Sequence, residues 1–283
     1  MERRPPLSAP YPWPVEPFDR QHPVRAFFND PRIEDASHAF HFGIDISAPD
    51  GTAVYAVAPG KVLIEDKGHA LAVQGTDGRT FGYWHVVPAV AHHQDVGLHE
   101  LLGHIEAPWG HVHFAESLIH AYHDPIRPGA LQPFVDVGHP TIDQILFRRA
   151  GAVVAPGSVS GRLQICCVAH DTTPISVPPP WAHMPVAPAR VRYRIFCAGR
   201  CVLPLRAGVD LRVFRQPAAF PLIYAPDTRQ NHPDKPGHYC YILAHYWNSA
   251  AFADDSYLLE VEASDIHGNR AVSSLPFTIR NGV

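Results

Sequence analysis

The first 165 residues contain no cysteine; all five, Cys166, Cys167, Cys197, Cys201 and Cys240, fall in the second half. An odd count excludes a framework in which every cysteine is paired within one chain. Cys197 and Cys201 are candidates for a bridge or, the reading preferred, for ordinary buried thiols. No apolar run approaches the ~20 residues of a membrane-spanning helix. No basic run of the kind nucleic-acid binding needs occurs in either half. The opening stretch, MERRPPLSAPYPWPVEPFDR, has arginines but no apolar run behind them, so as written it does not read as a signal peptide.

What is present is the composition of a globular protein. The chain of 283 residues is long enough for two ordinary domains, with 46% hydrophobic and 18% charged residues. Thirty prolines argue for loops and short strands and against long helices. Residues 1–150 carry 11 Lys and Arg against 18 Asp and Glu, whereas residues 151–283 carry 12 against 9. Fourteen of the 20 histidines lie in the first half, so charge and histidine content both divide the chain.

The histidines are concentrated in short strings. HFGID places His41 four residues before Asp45, with a glycine between them that lets the backbone turn sharply. GHVHF places His111 and His113 two apart, which on a strand sends both side chains to one face. Between them YWHV carries His85, in phase with Phe81 and Tyr83 if the strand runs through it. Two imidazoles and a carboxylate are what a catalytic zinc site usually takes from protein, with a fourth position left to water whose pKa falls to about 7. Two further histidines would suit acid–base work, since imidazole titrates near neutrality.

HFGIDISAPDGTAVYAVAPGKV, an Asp-Gly hairpin, YWHV and GHVHF, in that order, resemble the lysostaphin/LytM-type zinc endopeptidases of bacterial cell walls. The resemblance spans roughly residues 25–125. It implies zinc held by His41, Asp45 and His113, with His85 and His111 unligated and catalytic, and does not say which does which. It implies hydrolysis of peptide bonds in peptidoglycan crosslinks or stems, and a periplasmic or extracellular place of work. The family pattern is departed from at IEAPWG, where a Gly/Ser/Thr-rich approach is usual, and at Ala115, which stands before Glu116. In the family that segment lines the cleft, so the resemblance implies that Trp109 alters or narrows substrate choice. The alternative function is a catalytically idle scaffold that binds the wall or a partner protein; the oligomeric state is open.

The expected fold is mainly β. Residues 1–24 read as a proline-rich strap along the surface, residues 25–149 as an antiparallel-sheet peptidase domain, and residues 150–283 as a β-sandwich that resembles immunoglobulin-like modules. FFNDPRIED resembles the entry strand and loop that precede the first motif in the lysostaphin/LytM-type family. Asp77-Gly78 marks a two-residue hairpin. Val191, Tyr193 and Ile195 alternate with Arg190, Arg192 and Arg194, as on a strand with one buried face. Asp265 and Asn269 are read as a hairpin turn in preference to a calcium site. His38 competes with His41 but lacks its spacing to Gly43 and Asp45. His92, His93, His99 and His104 are assigned to a solvated loop, and Glu116 to the surface.

Overall fold

The structure is a computed structural model that describes residues 9–34 and 37–282. The fold is mainly β, built from antiparallel sheets, and its one α-helix among the described residues is the four-residue Phe220–Ile223. Alternating short apolar runs and proline-rich turns leave no stretch long enough for a stable helix.

The chain forms two compact units, and they divide it at other places than residues 149 and 150. The first comprises the chain up to Asn29, His41–Val137 and Thr173–His183; the second comprises Asp30–Phe40, Gly138–Thr172 and Met184–Val283. FFNDPRIED is thus split. Its PRIE forms Pro31–Glu34, which pairs with Ser37–Phe40 in a hairpin of the second unit. The physical reason is apolar burial: Phe40 is 2% exposed in the second unit's core, 5.4 Å from the Phe220 ring and 5.8 Å from that of Tyr224.

In the first unit, an eight-stranded antiparallel sheet places the site. Val24–Ala26 lies at one edge, followed by Ile44–Ser47, His111–Leu118, Arg79–Trp84, Ala70–Gln74, Gly60–Glu65 and Asp95–Val96, with Ala121–His123 also pairing with His111–Leu118. Ile44, Ile46, Leu71, Val73, Phe81, Tyr83 and Phe114 are fully buried. An aromatic side chain buried to this degree contributes roughly 1.5–3 kcal/mol. A second sheet joins Ala53–Tyr55, Leu101–Ile105 and Val86–Pro88. The connection from 88 to 108 therefore contains strands, with His92, His93, His99 and His104 exposed along it.

Of the N-terminal strap, residues 1–8 lie outside the described residues. The rest is not a surface strap: Tyr11, Trp13 and Val15 are buried. In extended chain these alternate residues share a face, and here that face is sealed in. The indole N–H of Trp13 donates to the Pro133 carbonyl at 2.8 Å, and the Tyr11 hydroxyl donates to Glu116 at 2.7 Å.

The second unit has two four-stranded antiparallel sheets sharing one core. One sheet runs Ala152–Val154, Thr141–Arg149, Arg162–His170, Cys240–Asn248; the other runs Arg200–Asp210, Arg190–Cys197, Ser256–Ser264, Arg270–Thr278. Val191, Tyr193 and Ile195 are buried while Arg190, Arg192 and Arg194 are less so, as the alternation requires. The Asp265 carboxylate accepts from the backbone N–H of Gly268 and Asn269 at 2.6 and 2.8 Å, which closes the hairpin turn. All five cysteines are free thiols, but Cys197 and Cys201 are not the buried ones: Cys201 is exposed and Cys197 half-buried. They flank the tight turn Ala198-Gly199, where side chains face solvent; burial falls on Cys166, Cys167 and Cys240 instead.

Candidate metal centre

Strand register assembles the centre. His113 pairs directly with Asp45 and His111 with Ser47, so both imidazoles leave the same face of one strand beside the carboxylate. His41 arrives from the chain just before Ile44–Ser47. Gly43 carries no left-handed conformation; its role is close approach. A Cβ there would meet the Phe114 carbonyl oxygen at 2.3 Å and His113 Nε2 at 2.9 Å, so only hydrogen fits.

Three donor atoms converge. His41 Nε2 lies 2.7 Å from His113 Nδ1, and Asp45 Oδ1 lies 3.0 Å from each. The other nitrogen of His41, Nδ1, donates to the Phe27 carbonyl at 2.9 Å, which leaves Nε2 as a lone pair aimed at the cluster. Tetrahedral zinc with bonds of about 2.0–2.1 Å separates its ligand atoms by about 3.3 Å, so the cluster needs only a few tenths of an ångström of expansion. The donor set fits a metal: two imidazoles and a carboxylate, all buried, with too few protons to satisfy three acceptors that face one another. Phe42 and Trp84 pack against the His113 ring edge-to-face and against each other, with centroids at 4.4 and 5.1 Å from it.

The Asp45 carboxyl is shaped by opposing causes. Burial raises its pKa, but His41 and His111 beside it outweigh burial and hold it well below the usual carboxylate range. It is therefore an anion near neutral pH.

His111 stands next to the cluster, its Nε2 3.5 Å from Asp45 Oδ1. Its Nδ1–H donates to the Trp109 carbonyl at 2.8 Å, and its Nε2 accepts from Arg25 at 3.3 Å. Burial lowers its pKa to about 4 despite the pull of Asp45. His85 does not continue the strand of Phe81 and Tyr83. The chain leaves the large sheet at Trp84 and enters the three-stranded sheet at Val86, and His85 makes the change with φ of 63°. Its ring is stacked on Trp109 at 3.8 Å and lies 4.7 Å from that of His111. Burial and the neighbouring His111 lower its pKa to about 3. Both histidines are thus neutral at pH 7.

Glu116 is not on the surface. It is fully buried, gripped by both Arg127 guanidinium nitrogens at 2.6 and 2.9 Å as well as by Tyr11. Removing one partner of such a pair typically costs 3–5 kcal/mol. It anchors the N-terminal segment and is no general base. His38 stacks on Phe220 in the second unit and has no place among the ligands.

Sequence reasoning missed two residues of the centre. Arg25 reaches His111 from the edge strand, and Trp181, on a segment far along the chain, lies under the Arg25 guanidinium at 4.6 Å. Neither belongs to a motif, and only the fold brings them together.

No protein-family profile and no curated protein sequence matches the chain. Solved structures do show similarity. A chain of the SpoIIQ–SpoIIIAH pore-forming complex is 18% identical with a TM-score of 0.36, over 41% of this chain and 89% of that one. A zinc-containing peptidase from Vibrio cholerae is 22% identical with a TM-score of 0.35, over 42% and 40%. The M23 metalloprotease pseudoalterin is 14% identical with a TM-score of 0.33, over 53% and 95%.

Proposed function

We propose that this protein is a zinc-dependent endopeptidase that hydrolyses peptide bonds in peptidoglycan crosslinks or stems. The observation that carries the reading is the convergence of His41 Nε2, Asp45 Oδ1 and His113 Nδ1 within 3.0 Å of one another, with two neutral histidines alongside. A closed structural zinc site takes four protein ligands; three leave a position for water. When bound, the metal would make that water acidic and polarise the carbonyl under attack.

The chain's own residues supply the rest. His111 is held in one tautomer by the Trp109 carbonyl, so its Nε2 lone pair lies beside the centre and can accept a proton on giving up its contact with Arg25. His85, clamped against Trp109, stands where an imidazole can donate to the oxyanion or to the leaving amine. Trp109, 46% exposed beside both histidines, narrows the mouth of the site. A wall substrate places the enzyme in the periplasm or outside the cell. Two four-stranded antiparallel sheets around one core support reading the second unit as an immunoglobulin-like spacer or binding arm.

The test is zinc content and turnover together. Protein purified without a histidine tag is expected to hold near one zinc per chain, and Asp45→Ala far less. The zinc-loaded protein is expected to release new amino groups from purified peptidoglycan or from short Gly- or D-Ala-containing peptides. Full zinc occupancy with no release from a broad panel would leave an idle scaffold as the function.

A further inference from the structure

The two faces of the large sheet treat their aromatic residues differently. On one face Phe81, Tyr83 and Phe114 are sealed in the core. On the other, the face of Asp45 and His113, Trp84 is only half-buried, although it follows Tyr83 directly on the same strand. Register puts Trp84 opposite His113, and around it lie Ala70, Ala72, Gly82 and Ala115, small residues that are all buried. A Cβ on Gly82 would collide with the six-membered ring of Trp84, so the indole lies across that glycine. Phe42, between His41 and Gly43, and Tyr122, from the strand Ala121–His123, are half-buried too. Phe42 links the group: its ring centroid is 5.0 Å from that of Trp84, 4.9 Å from that of Tyr122 and 4.4 Å from that of His113.

Half-buried aromatic rings in one contiguous group form a surface that binding can cover, and ligand sites are lined in this way. Here the group is continuous with the metal centre, since two of its three rings touch a candidate ligand. It also lies to one side of that centre. Trp109 and His85 stand by His111, whereas Phe42, Trp84 and Tyr122 stand by His113. A peptide whose carbonyl sits at the centre therefore brings the side chain of one neighbouring residue against these rings. What rings over a floor of alanine and glycine offer is apolar contact, which rewards a methyl or larger side chain and gives glycine nothing.

Resting on the peptidase reading, we propose that Phe42, Trp84 and Tyr122 form a subsite for an apolar side chain next to the scissile bond, so that the protein selects residues with a methyl or larger apolar group and discriminates against oligoglycine. Gly82 belongs to the same device, because only hydrogen there lets Trp84 lie down on the sheet. Among wall peptides the subsite favours bonds flanked by alanine over those in glycine bridges.

Two series of peptides test this and show which side of the bond is read. One places Gly, Ala, Leu or Phe before the cleaved bond and the other places them after it, with glycine on the remaining side. In one series the zinc-loaded protein is expected to favour Leu over Gly by about ten- to a hundredfold in kcat/KM, with Ala between them. Tyr122→Ala should bring that ratio toward one, and Tyr122→Phe should keep it. Gly82→Ala, which lifts the indole, should lower it as well. Because the ratio is taken within one variant, partial loss of metal or of fold cancels. If Tyr122→Ala and Gly82→Ala lower Gly and Leu peptides by the same factor, the rings only pack beside His113, and the proposal fails. Binding of the same peptides, followed by tryptophan fluorescence in zinc-loaded and metal-free protein, separates this proposal from the peptidase reading. Leu-selective binding that Tyr122→Ala abolishes, without any cleavage, sinks the peptidase and keeps the subsite. Cleavage with no preference in either series does the reverse, and neither binding nor cleavage sinks both.

Discussion

His113 and Asp45 face each other across paired strands, and the imidazole Nδ1 stands 3.0 Å from the carboxylate Oδ1. Register alone puts them there. A one-residue slip would send His113 to the opposite face and bring Val112 to Asp45, so the centre is only as secure as the pairing of Ile44–Ser47 with His111–Leu118. That pairing is locked by Ile44, Ile46, Val112 and Phe114, all fully buried.

Gly43→Ala tests this packing. The added methyl must displace the Phe114 backbone or the His113 ring. We expect a loss of about 1–3 kcal/mol in stability, read by denaturant titration, and a fall in zinc occupancy because His113 is pushed off its line. Unchanged zinc content and stability would show that the strand yields freely.

His85→Ala and His111→Ala should each keep zinc and the fold but lose activity, by about 10²–10⁴-fold for a positioned acid or base. Amino-group release with parallel metal analysis reads both. Equal cleavage by wild type and both variants would leave the peptidase standing without this mechanism.

Acid should destabilise the metal-free protein earlier than carboxylate titration alone explains. The folded pKa values of His85 and His111 are lowered to about 3 and about 4, against 6.5 for the free side chain. Between those values the unfolded chain binds more protons than the folded one, so stability rises with pH. The contribution is complete above pH 6.5 and is lost on acidification from there, toward pH 4 for His111 and pH 3 for His85. A His85→Gln, His111→Gln double variant should show a flatter stability curve in that window. Superimposable curves would contradict neutral burial of these two rings.

The sequence made the His41, Asp45 and His113 cluster, and His111 beside it, legible because these residues sit at short spacings that strand geometry converts directly into position. His85 was found but placed on the wrong kind of backbone, since nothing in YWHV marks where a chain changes sheets. Glu116 was misread because a charge in sequence looks like surface; its partners, Tyr11 and Arg127, come from separate parts of the chain. Arg25 was invisible for a different reason. It is the extra residue of a bulge, with Val24 paired to Ile46 and Ala26 to Asp45. A bulge is a mismatch between two strands, and one strand's sequence does not record it.

Fragments cut between Arg149 and Ala150 should fold poorly. The first would carry Asp30–Phe40 without the core that buries Phe40, and it would lack Thr173–His183. Circular dichroism and proteolysis of the two pieces check this; two protected, cooperatively melting fragments would mean that the exchanged segments contribute little.

The exchange of segments also sets a clock on synthesis. His41 belongs to one unit and Phe40, its covalent neighbour, to the other. Trp181, which lies under Arg25, leaves the ribosome after every strand of the large sheet has already been made. At about 5–20 residues per second, the stretch from 138 to 183 takes roughly 2–9 s to translate. Throughout that interval His41, Asp45 and His113 can be in place while the Arg25 guanidinium has no indole to rest on. A nascent chain therefore passes through a stage in which the His41, Asp45 and His113 cluster is complete before Arg25 is seated.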